Sequence, residues 1–261
     1  MDLNLTGKVA LVLASSSGLG KAIAKELAKE GANVMLTSRN EEKLAAAKKD
    51  IEKVAVGKVA YTVADITDAE NIKNLVENTR SEFGPISVLV NNAGGPPGGT
   101  FEDFDDEDWQ KAFDLTLFSF IRTIREVLPD LKKTGGHILN NTSSSVKQPI
   151  DGLTLSNVFR MGISGLSKSL SQELAADGIL VNTIGPGRIE TDRIVELDSK
   201  KAEKQNKTQE EVTEAMEKTI PLGRYGEPEE FAKVATFLVS GANTYLTGQT
   251  ILVDGGMVKA Y

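Results

Sequence analysis

The chain has 261 residues, which suits one large domain or two small ones, and its 40% hydrophobic content is enough to bury a sizeable core. A formal charge of -7 argues against nucleic acid or an anionic membrane as the main partner. With no cysteine there are no disulfides and no thiol chemistry, and the single histidine argues against His-based metal sites and Ser-His-Asp triads.

The N-terminal run "MDLNLTGKVALVLA" lacks a basic segment, and its apolar part is too short for a signal peptide. No stretch approaches the length of a membrane span, so the expectation is a soluble cytoplasmic protein with no membrane partner. "KVALVLA" reads as a buried strand, and "GKAIAKELAKEG" follows with helical spacing and stops at Gly31. "NVMLTS" is a second strand, and "NEEKLAAAKKDIEKV" a helix with a charged face. "KVAYTVADITD" is a third strand, and "DAENIKNLVENTRSEFG" a helix with Asp68 at its N-cap. "PISVLVNNAGG" is a fourth strand that runs into a Gly/Pro loop.

The alternation continues through a long helix at 107–131, a strand in "GGHILNNTSS", a long helix at 153–178 and a strand in "ILVNTIGPG". A helix in "EPEEFAKVATFLVSG" and a seventh strand in "GQTILVDGG" close the chain. Strands alternating with helices imply an α/β fold with a parallel sheet covered on both faces, joined by right-handed crossovers. No linker and no repeat of fixed period interrupts the pattern, so residues 1–261 read as one domain.

Two inserts break the rhythm. "GGPPGGTFEDFDDEDW" is Gly/Pro-rich and then acidic, and a charged, helix-prone stretch at about 188–225 follows the sixth strand. Ligands of doubly wound sheets bind beyond the carboxyl ends of the strands, so both inserts should border the site, and the second should act as a lid over substrate. Individually, most charged residues of that lid read as a solvated helix face. His137 should lie exposed at the start of the fifth strand, Lys168 should lie at a surface or interface, and Trp109 with its apolar stripe should pack in the core or against another subunit.

"ASSSGLG" lies between the first strand and the first helix, the setting in which glycines let a backbone approach a pyrophosphate. Ser16, Ser17, Gly18, Leu19 and Gly20 are the expected phosphate-loop residues, with Ala14 at the start of the turn. The second strand ends in Ser38 and Arg39, where an acid would bind the ribose hydroxyls of NAD(H). A guanidinium there favours NADP(H) over NAD(H), since it pairs with a 2′-phosphate that an acid repels.

These motifs together resemble the short-chain dehydrogenase/reductase family, and in particular its bacterial ketoacyl-carrier-protein reductases and glucose dehydrogenases. The resemblance covers nearly the whole chain and implies a Rossmann-type sheet of seven parallel strands. "ASSSGLG" matches the family's Gly-rich loop, with Ala14 where a first glycine is usual. Ala is tolerated there if its φ is negative. "ADITD" matches the adenine-contacting segment (Asp65, Ile66), and "NNAG" the strand-four motif (Asn91, Ala93, Gly94). "GPGRIETD" matches the turn near the nicotinamide (Pro186, Gly187, Ile189). The resemblance also implies a small-molecule substrate and a homotetramer built through the two long helices, and with a single histidine no metal is expected.

The implied reaction is hydride transfer between the nicotinamide and a carbonyl or alcohol carbon. A tyrosine moves the proton, a lysine four residues on holds the ribose, a serine orients the carbonyl and an asparagine supports a water relay. Carried onto this chain, the serine is Ser143, but the tyrosine falls on Ser156, the lysine on Arg160 and the asparagine on Thr116. The tyrosines are Tyr61, Tyr225, Tyr245 and Tyr261, none of them near this helix in sequence. Ser156 and Arg160 still share a helix face. Arg160 can bond the ribose, whereas a serine hydroxyl is a far weaker acid than a phenol and falls short of the phenol oxygen by roughly 4 Å. Two readings stand open: an oxidoreductase with a non-standard relay through Ser143, Ser156 and Arg160, or a catalytically impaired nucleotide-binding relative serving as sensor or partner subunit.

Overall fold

β1 (Val9–Val12) is buried throughout and sends alternate side chains to opposite faces of the sheet. Ala10 and Val12 join one core cluster, while Val9 and Leu11 join another. The computed structural model describes residues 1–260.

α1 (Gly18–Lys29) begins after Ser17 and ends before Gly31, whose φ of 91° is open to glycine and costly for other residues. β2 (Asn33–Ser38), α2 (Glu41–Glu52), β3 (Val59–Val63) and α3 (Ala69–Phe83) complete the first half. Asp68 caps α3 as its spacing predicts, its carboxylate accepting from the N–H of Asn71 at 2.9 Å. That bond also holds the Asp68 pKa below the usual carboxylate value.

β4 (Val88–Asn91) opens the second half. The helix expected at 107–131 is built as α4 (Asp106–Phe113), a π turn at Asp114–Phe118 and α5 (Ser119–Thr134). β5 (Gly136–Asn141), α6 (Thr154–Glu173) and β6 (Ile179–Pro186) follow. The insert after β6 folds as α7 (Asp192–Gln205) and α8 (Gln209–Glu217). α9 (Pro228–Leu238) and β7 (Thr250–Val253) end the fold.

The seven strands form one sheet in the order β3-β2-β1-β4-β5-β6-β7, and every pairing is parallel. One core packs α1, α2 and α9 on the sheet through Ile23, Leu44 and Phe231. The other packs α3, α5 and α6 through Leu75, Phe120 and Ile163. Chain direction across the sheet reverses between β1 and β4, and a doubly wound sheet opens its crevice at that point, beyond the strand C-termini.

His137 departs from expectation. It is half-buried, with Nε2 3.2 Å from the carbonyl oxygen of Asn243, and burial pushes its pKa down. Lys168 is exposed, and its Nζ donates to the Gly248 carbonyl at 3.2 Å. Trp109 stacks edge-on with Phe101 and Phe159.

Candidate active site

A cleft of about 530 Å³ lies over the C-terminal ends of the strands. The turn after β1 forms one wall. The Ser15 hydroxyl donates to the Val12 carbonyl and accepts from the Thr37 N–H, which pins the turn to β2. Ala14 has φ 46°, so the expectation of negative φ fails there. The Asn92 amide donates to the Ala14 and Leu13 carbonyls at 3.1 and 3.3 Å, and these bonds hold Ala14 in its left-handed conformation.

Ala14, Ser16, Ser17, Gly18 and Leu19 line the cleft. Gly20 sits behind them, buried, and a Cβ there would lie 2.4 Å from the Ala14 carbonyl oxygen and 2.6 Å from Asn92 Nδ2. Its role in this structure is close packing. Ser17 at the α1 N-cap makes no side-chain capping bond, and the first turn of α1 carries no acidic residue. The first N–H groups of α1 are therefore left for an anion.

At the far end of the cleft, Ser38, Arg39, Asp65 and Ile66 line the wall. The Arg39 side chain is 79% exposed and lies 4.0 Å from Asp65, so this pair is weak and the guanidinium is available. Ala93 and Gly94 line the cleft after β4, and a Cβ on Gly94 would meet nothing within 4 Å. Asn91 is fully buried beneath the cleft, its amide donating to Asn140 Oδ1 at 2.8 Å. Pro186, Gly187 and Ile189 line the opposite wall.

Ser143, Ser156 and Arg160 all line this cleft. Ser143 follows β5, and its hydroxyl accepts from the N–H of Ser145 at 3.1 Å. Ser156 is 8% exposed, and its hydroxyl has no hydrogen-bond partner among the described residues. Arg160 is 5% exposed. Its Nη1 donates to the Asn141 carbonyl at 2.8 Å and its Nη2 to the Ala93 carbonyl at 3.4 Å, while Nε is buried without a partner. Burial, and then the nearby charge of Arg193, lower the Arg160 pKa to about 10, which leaves the guanidinium charged at neutral pH.

Thr116 does not reach the cleft. It is fully buried in the π turn, and its hydroxyl has no partner among the described residues. No tyrosine and no lysine among the described residues lines the cleft. Tyr225 is buried elsewhere and donates to Asp198 at 2.8 Å. Burial, reinforced by that bond, pushes its pKa up, the opposite of what proton transfer needs.

Sequence reasoning passed over two residues. Asn141 links the walls, since its amide donates to Asn92 Oδ1 at 2.8 Å while its carbonyl accepts from Arg160. The double "NN" in β4 and β5 was the available signal. Arg193 on α7 crosses to the loop after β4, where Nη2 donates to the Pro96 carbonyl at 3.0 Å. Nothing in the charge run set it apart from its neighbours.

A family model described as Enoyl-(Acyl carrier protein) reductase matches residues 13–258. The chain is 35% identical to the 3-oxoacyl-(acyl-carrier-protein) reductase FabG of Thermotoga maritima, over 98% of this chain and 100% of that protein. It is therefore a short-chain dehydrogenase/reductase. Human dehydrogenase/reductase SDR family member 4 is 34% identical, over 97% of this chain and 88% of its own length. Among solved structures, L-sorbose reductase from Gluconobacter frateurii, complexed with NADPH and L-sorbose, superposes with a TM-score of 0.95 at 33% identity, with both chains covered completely. A single-substitution variant of actinorhodin polyketide ketoreductase with NADPH superposes at 0.92 and 31% identity, covering 96% of this chain and 97% of that one. As a short-chain dehydrogenase/reductase the chain is an oxidoreductase, with Ser156 and Arg160 where the resemblance implies tyrosine and lysine.

Proposed function

We propose that the protein is an NADP(H)-dependent oxidoreductase for a small carbonyl or alcohol substrate, working through Ser143, Ser156 and Arg160. The observation that carries this reading is that all three line the cleft that also holds the unspent first turn of α1. The NADPH complexes among the structural relatives support the choice of nucleotide.

The residues fit that cofactor. The first N–H groups of α1 would hold the pyrophosphate, Arg39 the 2′-phosphate, Asp65 and Ile66 the adenine side, and Arg160 the nicotinamide ribose. When bound, the nicotinamide supplies or accepts a hydride. Ser143 and Ser156 orient the substrate oxygen and pass a proton between it and water. Arg160 stays protonated and stabilises negative charge developing on that oxygen, an electrostatic task in a site shielded from solvent. The segment at about 188–225 acts as the lid, which fits the Arg193 contact across the cleft. The aromatic group of Trp109, Phe113 and Phe159, with exposed Val158 and Met161 on α6, supports a homotetramer built through these helices.

A second reading, a nucleotide-binding sensor or partner subunit without turnover, is favoured by the lack of any tyrosine or lysine lining the cleft. Steady-state NADPH oxidation across a carbonyl and quinone panel separates the two. Turnover that drops about 100-fold in Ser143→Ala and in Arg160→Ala supports the enzyme. Tight NADPH binding with no oxidation of any panel member supports the second reading.

A further inference from the structure

Arg160 is a buried cation with no anion. Among the described residues no carboxylate lies within 4.0 Å of its nitrogens, and its bonds go to two backbone carbonyls. A charge taken out of water in this way is costly unless it is paired. Arg193 adds to the imbalance. It lines the same cleft, and its charge adds to burial in lowering the Arg160 pKa. Its one acidic partner is Glu196, at 3.3 Å and half exposed, a pair of little strength. Of the carboxylates lining the cleft, Asp65 lies at the Arg39 end and Asp192 opens α7, and neither is within 4.0 Å of Arg160 or Arg193. Arg188, the other arginine of this wall, is neutralised by Asp198 at 2.7 Å.

Both arginines thus line one cleft, and among the described residues no carboxylate pairs with Arg160. The phosphates of a nucleotide have their own place at the first turn of α1 and at Arg39. The cleft lining also includes the apolar side chains of Ile150, Leu153, Ile194, Leu197 and Met257.

We propose that the substrate is an oxo acid with a short apolar chain, its carboxylate held by Arg193 and favoured by the unpaired charge of Arg160 at the ribose, and its chain against the apolar residues of the cleft. This deepens the proposed function and rests on it for the redox step. The carbonyl carbon gains a hydride and its oxygen a proton, giving the hydroxy acid, while NADPH is oxidised to NADP+. The carboxylate also lets Arg193 close the lid, because the anion offsets the repulsion between the two arginines. Arg193 therefore sets specificity for charge and closes the cleft in one contact.

The test is calorimetric. 2-Oxohexanoate and its neutral amide, 2-oxohexanamide, are titrated separately into the full-length protein, with and without saturating NADP+. The oxidised nucleotide prevents reduction, so binding alone is read. The expected result is acid binding at least 10-fold tighter than amide binding. In Arg193→Gln, acid affinity should fall at least 10-fold, amide affinity should change less than 2-fold and NADP+ affinity less than 3-fold. Arg160→Met should lose the same preference for the acid. Equal affinity for acid and amide, or a preference that survives both substitutions, would overturn the proposal. So would an Arg193→Gln variant that weakens NADP+ binding and leaves the acid untouched, since Arg193 would then belong to the cofactor. A protein that binds the acid preferentially but binds no nucleotide would sink the proposed function while leaving the carboxylate site standing.

Discussion

Ala14 carries the clearest local strain in the cleft, a φ of 46° on a residue with a Cβ, at a position where the family resemblance implies glycine. The left-handed region costs a non-glycine residue about 1 kcal/mol or more, partly offset because glycine makes the unfolded chain more flexible. Ala14→Gly should therefore stabilise the protein by about 0.5–1 kcal/mol and raise Tm by about 1–3 °C in differential scanning calorimetry. A fall in Tm would mean that the Asn92 bonds hold the turn at no cost. His137 gives a second test at this scale, as the chain's single histidine. Its folded pKa lies below its unfolded value because burial disfavours the charged ring by more than the Asn243 carbonyl favours it. The unfolded state then binds more protons, so stability falls as pH drops through the unfolded value near 6.5 and levels off below the folded pKa. The lone imidazole resonance should titrate below 6.5 by NMR, and His137→Asn should lose less stability than the wild type between pH 7.5 and 5. The departures at Ser156 and Arg160 were legible in the sequence, because flanking motifs fix their register. Burial of Arg160 and its missing counter-ion were not, since both depend on what α7 and the loop after β4 bring beside it.

At the scale of elements, one buried cluster ties α7 to the two ends of the lid segment. Asp198 on α7 is 2% exposed and accepts from Arg188 after β6 and from Tyr225 before α9. Tyr225→Phe removes one donor and leaves a buried carboxylate oxygen short of a partner, at a cost of about 1–3 kcal/mol. The cost should be local. Hydrogen exchange should quicken across residues 192–217 while the amides of β1, β4 and β5 stay protected, and uniform quickening of the whole molecule would contradict this. The sequence marked the insert as helix-prone, and it does form two helices, yet nothing in its run of charges singled out Asp198 as the buried one. The helix expected at 107–131 shows the same limit. Its apolar period is unbroken through Thr116, so the π turn that buries that side chain leaves no trace in the pattern.

For the whole molecule, the seven parallel strands were legible because each is a short apolar run closed by Gly, Asn or Asp and, apart from the last, followed by a helix of distinct period. The strand order follows from right-handed crossovers and a single reversal, which also sets the cleft between β1 and β4. The phosphate loop and the Arg39 position were likewise readable, as they depend on sequence order along βα units. The polar links between strands were less so. Asn92, Asn141 and Arg160 form one line of hydrogen bonds from the turn at Ala14 to α6, across residues far apart in the chain. Asn141→Leu breaks that line, and the loss of a buried donor should cost about 1–3 kcal/mol by chemical denaturation while also weakening NADPH binding, because both cleft walls loosen. A loss of stability with unchanged NADPH affinity would place the line in the scaffold alone. The most direct test of the central claim is isotope transfer from NADPH dideuterated at C4, supplied with oxo acids, activated ketones and quinones, with the products read by mass spectrometry. The account predicts one deuterium on the carbinol carbon of a reduced oxo acid, at a rate that falls about 100-fold in Arg160→Ala. Saturable NADPH binding with no deuterium in any product would contradict it.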